Sequence, residues 1–153
     1  MQKERFLILF ALLTKKYYNS IELIFIFYME KIYKILLAED DETISWIYKS
    51  KLESEKYNVV VAVNGAEALT LAKSENPDLM LLDVIMPQLD GFSVLDELKK
   101  DPATNKIPVV MLTNLGTEED KIKGEKLGAV DYLVKASLTP SQIIEKIKKY
   151  LNN

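Results

Sequence analysis

The chain has 153 residues, with 20 Lys and Arg against 23 Asp and Glu, 48% apolar residues, no His and no Cys. That is the size and balance of one globular domain, and it excludes disulfides, Cys/His zinc sites and any catalysis that runs on a thiol or an imidazole. A net charge of −3 gives no general attraction to nucleic acid phosphates, so direct nucleic acid binding is not expected.

Residues 1–28 differ from the rest. They hold Lys3, Arg5, Lys15 and Lys16 against Glu4 and Glu22, around two apolar runs, Phe6 to Leu13 and Leu23 to Met29. Each run falls short of the roughly 20 residues that cross a bilayer, so no stable membrane insertion is expected. No small-residue cleavage site follows Leu13, as a secretory signal requires. Met29 opens a segment that reads like the natural start of a globular chain. Residues 1–28 are therefore read as an N-terminal extension from a misassigned start or leader, with an interfacial anchor or a helix packed on a partner as alternatives. The folded domain is expected over residues 29–153, in the cytoplasm.

From Tyr33 onward strand and helix alternate. Tyr33 to Ala38 is an apolar run that stops abruptly at Glu39-Asp40-Asp41-Glu42, as a buried strand does on leaving a sheet. Ile44, Ile47, Tyr48 and Leu52 then recur at helical spacing. Val59 to Val63 reads as the second strand, and Asn64-Gly65 turns the chain into a helix with Ala68, Leu69 and Ala72 inward. Leu79 to Leu82 is the third strand and ends at Asp83, after which Asp90-Gly91 starts a helix with Val94, Leu95 and Leu98 inward. Val109 to Leu112 is the fourth strand, ending at Thr113. The segment Thr117 to Leu127 is the weakest helix, with Gly124 inside it and Ile122 and Leu127 as its chief apolar anchors. Val130 to Val134 is the fifth strand and ends at Lys135. Thr139-Pro140-Ser141-Gln142 supplies a capping hydroxyl, a proline at the first helical position and a glutamine at the third, ahead of Ile143, Ile144, Ile147 and Tyr150.

The strand runs lack polar alternation, which fits strands covered on both faces and hence a parallel sheet. The order is (βα)5, and right-handed crossovers make it an α/β, doubly wound, five-stranded parallel sheet with ligands at the carboxyl ends of its strands. At those ends stand Glu39, Asp40, Asp83, Thr113 and Lys135. Three carboxylates gathered in one place repel one another unless a cation intervenes. Hard oxygen donors without imidazole or thiolate favour Mg²⁺ or Mn²⁺. A lysine and a hydroxyl supply what a phosphoryl group, with charge on its equatorial oxygens, needs around it.

Four stretches carry a resemblance: Ile35 to Glu42, Leu81 to Pro87 with Asp90-Gly91, Met111 to Thr113, and Asp131 to Lys135. Together they resemble the receiver domain of two-component response regulators, the chemotaxis-Y-like family, over residues 31–151. The resemblance implies the flavodoxin-like fold of that family, with Asp83 as the phosphoacceptor and Mg²⁺ (or Mn²⁺) as the cofactor. It implies Glu39 and Asp40 as metal-binding acids, with Asp83 and Ile85 among the metal-binding positions. Thr113 and Lys135 would contact the phosphoryl group, and Thr113 and Tyr132 would form the switch. The implied partner is a sensor histidine kinase or a phosphotransfer protein. No effector domain follows Asn153, so a single-domain regulator is expected, with output by phosphorylation-dependent binding of another protein and no enzyme activity beyond its own phosphorylation and dephosphorylation.

Further expectations follow from individual positions. Trp46 lies opposite the apolar face of the first helix and should be exposed. In this family the residues two beyond the phosphoacceptor and two beyond the threonine border the approach of water; here they are Ile85 and Leu115, whose apolar side chains imply a long-lived phosphoryl group. Two positions depart from the family. Lys135 precedes Ala136, where a proline in a cis peptide is usual, and Asn114 stands where the family mostly has a small residue. A phosphatase of the haloacid dehalogenase type would want a second acid at Ile85, and a nucleotide binder would want a glycine- or hydroxyl-rich loop where four acids stand. The remaining alternative is a phosphorylation-independent, receiver-like interaction module.

Overall fold

Successive strand residues point to opposite faces, and here both faces are apolar. The computed structural model describes residues 31–151; the N-terminal extension of residues 1–28 lies outside the described residues. Five strands, β1 (Lys34–Ala38), β2 (Asn58–Ala62), β3 (Leu79–Leu82), β4 (Val109–Thr113) and β5 (Asp131–Val134), alternate with five helices, α1 (Glu42–Ser54), α2 (Gly65–Glu75), α3 (Gly91–Lys100), α4 (Glu118–Lys126) and α5 (Pro140–Leu151). All strand pairs are parallel and the sheet order is β2-β1-β3-β4-β5. Ile35, Leu37, Leu79, Leu81, Val110 and Leu112 face a core closed by Tyr48 and Leu52 of α1 and Ile143, Ile144, Ile147 and Leu151 of α5. Leu36, Ala38, Met80, Leu82, Val109 and Met111 face the other core, closed by Ala68 and Ala72 of α2 and by Phe92, Val94, Leu95 and Leu98 of α3. The expected doubly wound architecture is therefore the observed one, and its order reverses between β1 and β3, where a crevice opens at the strands' carboxyl ends.

Side-chain caps start the helices where the sequence placed them. Asp41 accepts from Ile44 N–H at 2.9 Å, Asn64 from Glu67 N–H at 2.8 Å, and Asp90 from Phe92 and Ser93 N–H at 3.0 and 3.1 Å. Thr139 and Gln142 form a reciprocal capping box, at 2.8 and 3.3 Å. Each cap is worth about 1 kcal/mol.

Two expected anchors point the other way. In α1 the inner face runs through Ser45, Tyr48 and Leu52, leaving Ile47 outside that arc and 41% exposed beside the exposed Trp46. In α4 the inner face runs through Gly124 toward Leu127, so Ile122 turns outward at 43% exposure. In both helices the apolar residue sits off the burying arc set by the 3.6-residue period. Gly124, read as a weakness, is buried. Tyr150, named for the inner face of α5, is half-buried against that core and also reaches the sheet edge, its hydroxyl 3.0 Å from Val130 C=O and 2.9 Å from Asp131 Oδ2. Strand bounds differ from expectation by one residue in β1, β2, β4 and β5.

Gly91 shows why its position carries no side chain. Its N–H donates to Val84 C=O at 2.8 Å, and a Cβ there would stand 2.0 Å from the carbonyl oxygen of Asp83. The start of α3 is thereby pressed onto the backbone of the residue that ends β3. Replacing Gly91 by Ala forces these two backbones apart. The expected result is a loss of about 1–3 kcal/mol, the usual cost of overpacking, read as a lower urea midpoint with an unchanged slope.

Candidate functional site

The β1–β3 register pairs Ala38 with Leu82, so the next residues, Glu39 and Asp83, leave the sheet side by side. Two backbone hydrogen bonds carry the ladder past the strand ends: Asp83 N–H to Ala38 C=O at 3.0 Å and Glu39 N–H to Ala62 C=O at 2.9 Å. Both acids are buried, Glu39 to 2% and Asp83 to 8% exposure, while Asp40 is exposed at the mouth. One oxygen from each of Glu39, Asp40 and Asp83 lies within 4.8 Å of the others. At an effective dielectric near 20, two charges about 4 Å apart interact by about 4 kcal/mol, so such a cluster demands a counter-charge.

Lys135 supplies part of it. From the end of β5 its ammonium donates to Asp83 Oδ2 at 2.8 Å and to Glu39 Oε2, with its side chain only 7% exposed. Asp83 Oδ1 is turned the other way and accepts Val84 N–H at 2.6 Å and Ile85 N–H at 3.4 Å. Glu39 Oε1 accepts Asp41 N–H at 3.3 Å. Burial pushes the Glu39 carboxyl above its ordinary range, against the pull of Lys135. Burial also works to lower the Lys135 ammonium, yet its hydrogen bonds to Asp83 and Glu39 outweigh it and hold the group above its ordinary value. Both directions mean that the pocket takes up positive charge. Its donors are hard oxygens, so the pocket fits Mg²⁺ or Mn²⁺ by chemistry as well as by charge.

Thr113, at the end of β4, is fully buried. Its Oγ1 accepts Leu115 N–H at 3.3 Å, which leaves its own proton to be donated elsewhere. Ile85 is 62% exposed beyond Asp83; with an apolar side chain, it has only its backbone carbonyl to offer an ion. Tyr132 lies on β5 against the α2–α3 core, with its hydroxyl buried and without a hydrogen-bond partner. Burial, followed by the charges of Asp120 and Asp83, pushes its phenol up to about 12. The structure thus gathers Glu39, Asp40, Asp83 and Lys135 into direct contact or near contact, with Thr113 at the end of β4 and Tyr132 on β5, the strand that leads into Lys135. After Lys135 the chain takes one 3-10 turn, Lys135–Ser137, through trans peptides.

One neighbour of the site escaped the sequence reading. Tyr48, assigned only to the inner face of α1, is 5% exposed. Burial raises its phenol, with Lys135, Glu39 and Asp83 all close enough to act on its charge. A tyrosine on a helix's apolar face gives no signal in one dimension that it floors a polar pocket.

The chain is similar to known proteins. The family model described as "Response regulator receiver domain" matches residues 35–148. The chain is 43% identical over 118 residues to a protein of Cyanophora paradoxa named "Probable transcriptional regulator ycf27", covering 77% of this chain and 48% of that relative. It is 44% identical over 102 residues to the response regulator PleD of Caulobacter vibrioides, covering 67% of this chain and 22% of PleD. The chain thus spans about half, or less, of the length of the curated relatives it matches. Among solved structures, the receiver domain of the Francisella response regulator 1452 superposes with a TM-score of 0.72 at 36% identity, over 78% of this chain and 96% of that one. A CheY-like receiver domain protein of Methanospirillum hungatei superposes with a TM-score of 0.74 at 29% identity, over 80% of this chain and 95% of the other. Among the described residues, no helix is long and apolar enough to cross a membrane.

The central contact makes a testable demand. Lys135→Gln leaves two buried carboxylates without their cation, and breaking such a buried pair costs about 3–5 kcal/mol. With the ammonium gone, the pull that opposes burial at Glu39 is lost, and its folded-state pKa stands further above its unfolded value. The variant's stability is then greatest below the unfolded carboxyl range, near pH 4, and falls as pH rises through and above it. Urea titrations at pH 4 and pH 7 are expected to show the deficit against wild type widening toward neutral pH.

Proposed function

Because the chain belongs to the response regulator receiver domain family, a signalling domain of two-component systems, we propose that it accepts a phosphoryl group on Asp83 in a Mg²⁺-dependent reaction. The donor would be a phosphohistidine of a sensor histidine kinase or phosphotransfer protein. The observation that carries this reading is the Glu39, Asp40, Asp83 and Lys135 cluster: a buried carboxylate at a strand end, beside two further acids and under one ammonium. In the transfer, an Asp83 carboxylate oxygen attacks phosphorus as the donor's P–N bond breaks, and the electron pair of that bond leaves with the imidazole. The products are an aspartyl phosphate and a free histidine. With an acyl phosphate as donor, the P–O bond breaks instead and a carboxylate leaves.

The chain's own residues perform the positioning. Val84 and Ile85 N–H groups fix the rotation of the Asp83 carboxylate through Oδ1. Lys135 holds positive charge where negative charge gathers on the transferred oxygens. Thr113 holds a hydroxyl proton in reserve on the neighbouring strand. Glu39, Asp40 and Asp83 would hold the metal ion, which when bound supplies further positive charge to the phosphoryl oxygens. Phosphorylation would draw Thr113 toward the new group and shift Tyr132 and α4 between two arrangements, by their differential affinity for that group. Output would follow through phosphorylation-dependent binding of another protein. Residues Glu39 and Asp40 speak for this reading over a phosphorylation-independent module, which has no need of a buried, self-repelling cluster.

Incubation with acetyl phosphate and Mg²⁺, followed by intact mass, tests the proposal directly. Wild type is expected to gain one phosphoryl group, and Asp83→Asn to gain none. Asp40→Asn is expected to weaken Mg²⁺ binding by at least about tenfold, given that even an outer-shell partner is worth that much. Unchanged metal affinity and unchanged labelling in Asp40→Asn would place the pocket elsewhere.

The rim residues set a second expectation. Ile85 stands exposed beside Asp83 and Leu115 half-buried beyond Thr113. Neither side chain donates or accepts a hydrogen bond, so neither orients a water in line with phosphorus. An Ile85→Asn, Leu115→Glu variant is expected to lose its phosphoryl group faster than wild type at fixed Mg²⁺. Equal decay would remove these two residues from any account of the lifetime.

A further inference from the structure

Glycine in the interior of a nine-residue helix is a poor choice on propensity alone, yet α4 carries Gly124 there and buries it. The reason lies across the helix. A Cβ at Gly124 would stand 3.0 Å from Cδ2 and 3.4 Å from Cε2 of Tyr132, whereas the next nearest atom, Met111 Cγ, would be 3.5 Å away, at ordinary contact. The phenol ring therefore lies against bare helix backbone, and it is the ring that would crowd a side chain there.

The same ring holds its position without polar help. The Tyr132 hydroxyl is buried and makes no hydrogen bond, so nothing but ring packing against Gly124, Met111 and the adjoining core retains it. An unsatisfied buried hydroxyl opposes that retention. On an edge strand next to solvent, the balance between the inward ring and an outward one is set by how closely α4 can approach.

We infer that Gly124 is a positioning residue, the seat on which the Tyr132 ring rests, so that the absence of a side chain at this position of α4 holds the ring inward. This deepens the regulation proposed for the Asp83 site and rests on that reading. A Met111 contact on β4, two residues before Thr113, places the seat beside the strand that carries the proposed phosphoryl-sensing hydroxyl. Any displacement of α4 opens the seat, and any departure of the ring frees α4 from β5. Lys123 of α4 also reaches across this side, its ammonium 4.2 Å over the Phe92 ring of α3.

The test is a double-mutant cycle on the full chain, without phosphodonor, using Gly124→Ala, Tyr132→Ala and the pair. In the wild-type background Gly124→Ala is expected to lower the urea midpoint, because the new methyl meets the ring. In the Tyr132→Ala background the same change is expected to raise the midpoint, because alanine is the better helix former once the ring is gone. A merely structural glycine would give the same sign in both backgrounds, and that outcome would overturn the proposal. Should Gly124→Ala alone fail to fold, recovery of folding in the double variant supports the seat and continued failure overturns it. Incorporated 3-fluorotyrosine gives an independent readout: the ¹⁹F resonance missing from Tyr132→Phe is expected to shift toward solvent-exposed tyrosine in Gly124→Ala, and an unmoved resonance counts against the proposal. None of these readouts involves phosphate, so their failure is distinct from failure of the Asp83 reading, which intact mass decides.

Discussion

An ammonium wedged between two buried carboxylates is the constraint to which the rest of this domain answers. Glu39 and Asp83 are set next to each other by the parallel register of β1 and β3, an arrangement that is repulsive as long as both are ionised. Lys135 makes it tolerable, helped by the Val84, Ile85 and Asp41 N–H groups on the remaining carboxylate oxygens. That lysine comes from β5, the edge strand on the other side of β4. The contact therefore closes the carboxyl end of the sheet across three strands and couples the edge to the centre. Helices α1 and α5, which cover the sheet face bearing Leu37 and Leu133, pack a floor beneath it.

The balance of that cluster is deliberately incomplete. One ammonium faces two buried acids and a third at the mouth; burial raises the Glu39 carboxyl, and the acids around Lys135 hold its ammonium above its ordinary value despite burial. A pocket neutralised within itself would have no appetite for a cation. This one is stable enough to fold around Lys135 and still favours further positive charge, which is the physical basis for the proposed Mg²⁺ dependence. The exposed position of Asp40 gives an ion a hydrated route to the buried pair without opening the core.

Much of this was legible in one dimension because the sheet imposes order on sequence. Unbroken apolar runs that end in Glu39, Asp83, Thr113 and Lys135 mark the strand ends, and parallel topology sends all those ends to one side, so chemistry clustered there without any knowledge of contacts. Caps at Asp41, Asn64, Asp90 and Thr139 were readable because they depend on residues three apart or fewer. What escaped reading depends on phase and on packing across elements. Ile47 and Ile122 are apolar residues on the wrong arc of a helix, a matter of tens of degrees that composition does not encode. Gly124 read as a flaw in α4 because its justification is a ring on β5. Tyr48 is core, as read, but its polar neighbours gave no signal because they arrive from three different strands.

These misreadings fall into a pattern that bears on mechanism. At the acidic end, β1 and β3 are inner strands with every residue from Ile35 to Ala38 and from Leu79 to Leu82 buried, so Glu39 and Asp83 cannot shift without disturbing both cores. On the other side, β5 is an edge strand with one fully buried residue, Leu133, and α4 buries only Gly124. Local stability follows buried contact. On the proposed reading, a charge added at Asp83 would be accommodated where little is buried, on the side of β5 and α4 that carries Tyr132. The hydroxyl of Tyr132 is stranded in the present arrangement, which keeps the inward state from being too deep to leave. A rigid acidic end and a lightly held edge are what a two-state element needs: a fixed point at which charge is added, and a neighbouring part whose two arrangements differ by little enough for that charge to choose between them.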